Sequence, residues 1–159
     1  LATPTDRRLL TILLNEATAL AGLGRSTEAL EGIARIEAAG PGVPALTREG
    51  AHLIAAEALL RQRDAVAAAA RARAVFDALP VAASSRRVIA SVVLGEALQA
   101  LGDADGARTA LADAGTELDR LGAELDRTAL RAIRERHRVL RSLASADEAA
   151  RVLRTERAR

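Results

Sequence analysis

Three short stretches of this chain lie on a 39-residue ruler: Leu23–Ala29 (LGRSTEA), Gln62–Ala68 (QRDAVAA) and Leu101–Ala107 (LGDADGA). A looser fourth copy, LASADEA, spans Leu143–Ala149, 42 residues beyond the third. Each copy ends in alanine, at Ala29, Ala68, Ala107 and Ala149. Seven residues before the turn residues Gly24, Arg63, Gly102 and Ala144 stand Ala17, Ala56, Gly95 and His137, three of them small. Seventeen residues after Gly24 and Arg63 stand Pro41 and Pro80, whereas the third copy has Asp119 there. A period of this length means one supersecondary unit stacked on itself, because each unit leaves an apolar face that only a neighbour buries.

The unit is a pair of helices. Apolar residues recur at helical spacing on both sides of each turn, with no room between them for a strand. Helices are expected near 6–23, 26–39, 46–61, 64–78, 85–101, 104–121, 124–143 and 147–157. Asp6, Ser26, Ser85 and Asp103 suit N-caps, and Ser145 to Glu148 has capping-box spacing. Gly24 and Gly102 suit the left-handed conformation at a helix end. Ala38–Leu46 (AAGPGVPAL) is the longest break and marks a flexing point between the first two pairs. Arg63 and His137 occupy places where the other copies are small, so local packing adjustments are expected at both.

Composition supports helices and removes several chemistries. Half of the residues are apolar, yet Phe76 is the one aromatic. The core must therefore be Leu, Val, Ile and much Ala, which favours closely packed helices over a sheet. No Cys is present, so disulfides, thiolate nucleophiles and Cys-based zinc sites are excluded. Lys is also absent, which excludes a P-loop lysine and a Schiff base. The longest alanine run, Ala67–Ala70, lies between charged residues, and no membrane-spanning or signal segment is expected. Charge is uneven: residues 120–159 hold eleven Arg against six acids, net +5, while residues 1–119 hold twelve against fifteen, net −3.

A turn Gly, a small residue seven before it, an Ala five after it and a Pro closing the second helix resemble the tetratricopeptide repeat. The resemblance covers nearly the whole chain. It departs from the family in its period of 39–42 in place of about 34 and in lacking bulky aromatics. It implies an all-α fold, a right-handed α-solenoid of about four antiparallel helix pairs, as one domain over 1–159. The repeats would fall at 5–43, 44–82, 83–122 and 123–159. The long Ala/Arg/Leu-rich repeats, with LDRLGAELDR at Leu118–Arg127, are similar to helical-repeat regions of large bacterial transcription regulators of the LuxR/MalT and AfsR types. Beginning at Leu1, the chain is expected to be a piece of such a larger, cytoplasmic protein.

Catalytic constellations are thin, and no enzyme, cofactor or metal is expected. His52 and His137 are 85 residues apart and share no metal-ligand motif; His137 reads as a core-edge histidine bonded to a neighbour and His52 as a surface residue. Asp103 and Asp105 open like a calcium loop, but position 12 of that loop would be Ala114, leaving a cap and a turn.

The stronger pattern is Arg131, Arg134, Arg138 and Arg141, extended by Arg127, one guanidinium row about 100° from the Leu130/Ile133/His137 stripe. The resemblance implies that the first helix of each pair lines a concave groove holding peptide ligands, and the row falls there. Its counterparts are Thr11, Leu14 and Thr18; Leu53, Glu57 and Leu60; and Ile89, Val92, Glu96 and Gln99. Leu53 and Val92 would form the apolar middle of the groove, Glu57 and Glu96 two equivalent carboxylates, and the arginines a basic end that pairs carboxylates bidentately. The row equally fits a solvated helix face partly neutralised by Glu135, or arginines pairing with Glu57 or Glu96.

The expected function is a non-enzymatic interaction or regulatory module that binds a peptide segment or another domain of its parent chain; a homodimer stays open. Two alternatives come from other classes. The basic last forty residues could give weak, salt-sensitive nucleic-acid contact. Direct DNA reading is not expected, because no recognition helix follows Ser145–Glu156 within the chain. Small-molecule sensing in an apolar cleft near Leu53, Leu60, Ile89 and Val92 is the other.

Overall fold

The computed structural model describes residues 6–79, 85–121 and 133–142, and every regular element among them is helical. In chain order these are α1 (Arg7–Gly22), α2 (Ser26–Glu37), a 3-10 turn (Gly40–Gly42), α3 (Ala45–Arg61), α4 (Ala65–Ala78), α5 (Ser85–Ala100) and α6 (Ala104–Leu121). Residues 133–142 form a further helical stretch. The first six expected helices are matched to within two residues at each end. The expected helix at 147–157, the fourth turn at Ala144 with Ala149, the closing Pro80 and the Ser145–Glu148 capping box lie outside the described residues.

One corner is built three times. The amides of Gly24, Arg63 and Gly102 donate to the carbonyls of Ala21, Leu60 and Gln99 (3.1, 3.0 and 3.0 Å). The next amides, of Arg25, Asp64 and Asp103, donate back to Leu20, Leu59 and Leu98, each at 2.9 Å. This is a Schellman termination, which satisfies carbonyls that a helix end leaves open. It requires a left-handed residue, and φ is +78° at Gly24, +64° at Arg63 and +78° at Gly102. Arg63 is exposed, so its misfit with the other copies is backbone strain of about 1–2 kcal/mol.

The residue after the left-handed one starts the next helix. Asp64 Oδ1 accepts from the Ala67 amide at 3.0 Å, and Asp103 Oδ1 from the Gly106 amide at 2.9 Å. Arg25 has no side-chain acceptor, so the first corner is capped by backbone alone and Arg25 pairs instead with Glu28. Asp6 caps α1 through Arg8, as expected. Ser26 and Ser85 are not N-caps: each is the first helical residue, and Ser26 is buried. The Pro-Gly break holds the 3-10 turn, from which Val43 enters the core.

The alanines of the repeat sit at the tightest approaches. Ala17, Ala29, Ala56, Ala68 and Ala107 are all fully buried. At Gly95 an added Cβ would lie 2.8 Å from Leu111 Cγ, so α5 and α6 approach too closely for any side chain there. Larger side chains fill around these contacts.

Chain contacts divide the protein into two compact units, Leu1–Val75 and Phe76–Arg159. In the first, α1 packs on α2, and both pack on α3. Its core gathers Leu10, Leu13, Ile33, Ile36 and Val43 with Ala17, Ala51 and Ala55. Successive corners are tied together there: Arg61 donates to the Ala21 carbonyl, and Gln62 Nε2 lies 3.2 Å from Thr27 Oγ1. In the second unit α5 packs on α6, and Val88, Val92, Leu111, Leu118, Leu121 and Leu140 form the core. Phe76 lies there beneath the Arg87 guanidinium, 3.9 Å from ring centre to charge, an arrangement that stabilises by the ring quadrupole. No helix among the described residues is long and apolar enough to cross a membrane.

Candidate functional site

The helical stretch 133–142 carries most of the described arginine row. Ile133, His137 and Leu140 turn inward onto the second unit's core. His137 is buried, and its Nε2 lies 2.6 Å from the Leu111 carbonyl, a histidine satisfied at the core's edge. Its bulk is admitted by Gly115, whose missing Cβ would approach the imidazole to 3.3 Å. With that face inward, helical periodicity leaves Arg134, Arg138 and Arg141 exposed. Arg131, Arg127 and Leu130 lie outside the described residues.

The three exposed arginines differ in their surroundings. Arg138 holds Glu135 through two hydrogen bonds, Nε to Oε2 at 3.0 Å and Nη2 to Oε1 at 2.7 Å. That hydrogen-bonded pair raises the guanidinium pKa further and holds the Glu135 carboxyl below its ordinary value. Arg134 has no carboxylate partner among the described residues. The Arg141 guanidinium lies toward α6 at Gly115.

Glu57 and Glu96, 39 residues apart, are half-buried near the ends of α3 and α5. Glu96 is bound within its own unit by Arg136, which donates from Nε to Oε2 at 2.9 Å. Arg136 was outside the expected row; its signal was its place one residue before His137, on the edge of the inward stripe.

Leu53 and Val92 do not line an open groove. Leu53 is 7% exposed, and Val92 is 1% exposed within the α5–α6 core. The reason is that α3 and α5 are enclosed on several sides: Val88, Ala90, Ser91, Val92, Val93 and Leu94 are all buried on α5. Leu60 and Ile89 are half-buried.

A second constellation was not anticipated. In the first unit Ile36, Pro41, Val43 and Ala51 wall a cleft of about 350 Å³, with Glu37, Arg48 and His52 among its lining. Arg71 on α4 grips both Glu37 oxygens and lies 3.2 Å from His52 Nδ1. His52 is thus half-buried and not a surface residue. Burial, then the positive charge of Arg71, lowers its pKa below the ordinary value; Arg48 adds to this and Glu37 opposes it. Glu37, His52 and Arg71 come from three helices, so spacing along the chain gave no sign of them. No cluster of three or more His, Asp or Glu suited to a metal ion occurs among the described residues.

No family model, curated protein or solved structure matches this chain.

Proposed function

We propose that the protein is a tetratricopeptide-like interaction module, a helical-hairpin array that binds an acidic protein segment through its exposed arginine face. The observation that carries the reading is the corner repeated three times at 39-residue intervals, with the same hydrogen bonds, a left-handed residue at the same place and buried alanines around it. Repetition of one hairpin generates extended surface, and such arrays serve as binding scaffolds. On the helical stretch 133–142, Arg134 and Arg138 stand exposed one turn apart, at a spacing suited to carboxylates on a partner helix. In its parent protein the array would hold another domain inactive until a signal arrives, as a cytoplasmic regulatory arm similar to those of large bacterial transcription regulators.

The test uses two labelled helical peptides, one Glu-rich and one with every Glu replaced by Lys, followed by fluorescence anisotropy. The Glu-rich peptide should bind, and the double variant Arg134→Glu/Arg138→Glu should weaken it at least about tenfold, the loss of one or more charge-assisted hydrogen bonds. Helicity by circular dichroism should be unchanged. Equal binding of both peptides, or retained binding by the double variant, removes the proposal.

A further inference from the structure

The cleft in the first unit has the makings of a ligand site independent of the arginine face. Its volume of about 350 Å³ lies at the small end of the roughly 300–1,000 Å³ range typical of small-molecule clefts. Pro41 supplies exposed apolar wall, Ile36, Val43 and Ala51, at most 5% exposed, close the floor behind it, and the charged groups lie among them. Those charges do not cancel. Glu37 is fully engaged by Arg71, which holds both of its oxygens. Arg48 has no carboxylate partner among the described residues: its one hydrogen bond runs from Nη2 to the Val43 carbonyl, at 2.9 Å. A guanidinium has five N–H donors, so four remain, on an exposed side chain tied to the cleft by that one bond.

His52 adds a neutral donor. Arginine cannot accept a hydrogen bond, so at 3.2 Å from Arg71 the Nδ1 atom of His52 must be the acceptor. The ring proton then sits on Nε2, which has no partner among the described residues. Burial and the neighbouring guanidinium groups favour this neutral form, as the lowered pKa reflects. Counted together, the cleft carries one engaged ion pair, one neutral imidazole and one uncompensated cation beside an apolar wall.

We propose that this cleft binds a small organic monoanion, with its hydrocarbon end against Pro41 at the mouth of the cleft and its carboxylate on Arg48. A monoanion matches the single uncompensated charge. A dianion such as free phosphate would bring a second negative charge toward Glu37 and has no apolar part to use the wall.

The probe is a series of straight-chain carboxylates from acetate to octanoate, with hexanamide as the neutral counterpart of hexanoate and inorganic phosphate as the dianion. The His52 ring protons report binding by nuclear magnetic resonance, and His137, in the other unit, is the internal control. Saturable shifts of His52 alone are expected, with affinity rising up to about fourfold per methylene over the shortest members of the series and then levelling, because little of the apolar lining is exposed. Hexanoate should bind measurably more tightly than hexanamide, by up to about fivefold, because the contact to Arg48 is charge-assisted but open to solvent. Arg48→Gln should reduce hexanoate to the level of the amide while leaving the amide unchanged, and Arg48→Lys should retain part of the preference. Circular dichroism of each variant establishes that the fold is kept. No saturable shift at millimolar carboxylate, equal binding of acid and amide, tighter binding of phosphate than of octanoate, or full binding by folded Arg48→Gln would each overturn the proposal.

Discussion

Replacing Gly95 by alanine isolates the energy of the α5–α6 contact, because a matched control exists in the same chain. Alanine at either Gly95 or Gly32 gains helix propensity of about 0.8–1 kcal/mol over glycine. At Gly32 the new Cβ would lie 3.5 Å from Ala17 Cβ, an ordinary contact, so this gain should appear as added stability. At Gly95 it would lie 2.8 Å from Leu111 Cγ and 2.9 Å from Leu111 Cδ2, well inside the roughly 3.5–4.0 Å of a favourable carbon contact. Leu111 is 1% exposed and packed in the second unit's core, so α5 and α6 must separate or Leu111 must leave its rotamer. Overpacking by one methyl costs about 1–3 kcal/mol. The two variants should therefore differ by about 1–3 kcal/mol, with Gly32→Ala the more stable. Urea denaturation followed by circular dichroism suits a chain without Trp or Tyr. The background Leu111→Ala, itself about 2–5 kcal/mol less stable, should turn Gly95→Ala from harmful to helpful. If Gly95→Ala stabilises as much as Gly32→Ala in the parent background, the close approach of α5 and α6 is not what fixes glycine there.

Two further perturbations probe the corner and the cleft. Arg63→Gly should stabilise the protein by up to about 1 kcal/mol by relieving the left-handed backbone, and Gly102→Ala should cost a similar amount; thermal melts of the two variants moving in the same direction would refute the shared geometry. A lowered His52 pKa means that the unfolded chain takes up a proton first as pH falls below about 6.5, so stability should drop with falling pH across that interval. Glu37 on α2, Arg48 on α3 and Arg71 on α4 are the charges around it, and His52→Gln should flatten the dependence in urea titrations between pH 5 and pH 7. The carboxylates with resolved shifts, Glu28 and Glu135, are lowered from 4.5 and contribute below that window. Identical slopes in both proteins would show that His52 is not the group responsible.

What the sequence revealed, and what it hid, follows from how far apart the determinants lie. Helix boundaries and the buried alanines were legible because a helix end and the residues seven and five away from it are local, and local geometry repeats when the sequence repeats. Asp6 and Asp103 cap as expected, but Ser26 was misplaced by one residue for a definite reason. A serine is a good N-cap in isolation, but the link between helices is so short that Arg25, Asp64 and Asp103 serve both the helix that ends and the one that begins. Ser26 is thereby pushed into the first turn. Leu53 and Val92 were assigned to an open surface by their offset from the turn. Offset gives a direction around the helix, and only the number of neighbours says whether that direction is solvent. The buried run on α5 was the available warning, since Ile89–Gly95 contains no charged residue. The cleft was out of reach, as its wall and charges come from four separate segments between Ile36 and Arg71.

The arginine face gains definition from the pairs that the structure removes from it. Glu96 is engaged by Arg136 with both side chains about one-third exposed, and parting them would leave two partly desolvated charges. Glu135 and Arg138, by contrast, are largely exposed at i,i+3, where an ion pair contributes only some tenths of a kcal/mol. An incoming carboxylate can thus displace Glu135 from Arg138 at little cost, whereas it gains nothing by competing with Glu96. Arg134 needs no displacement at all. The carboxylate at Glu96, expected to face a ligand, instead anchors the 133–142 helix to α5 and so fixes which arginines that helix turns outward. Binding through this face would draw on Arg134 first and Arg138 second. Loss of Glu96 would act through the orientation of the helix and not through contact with a partner.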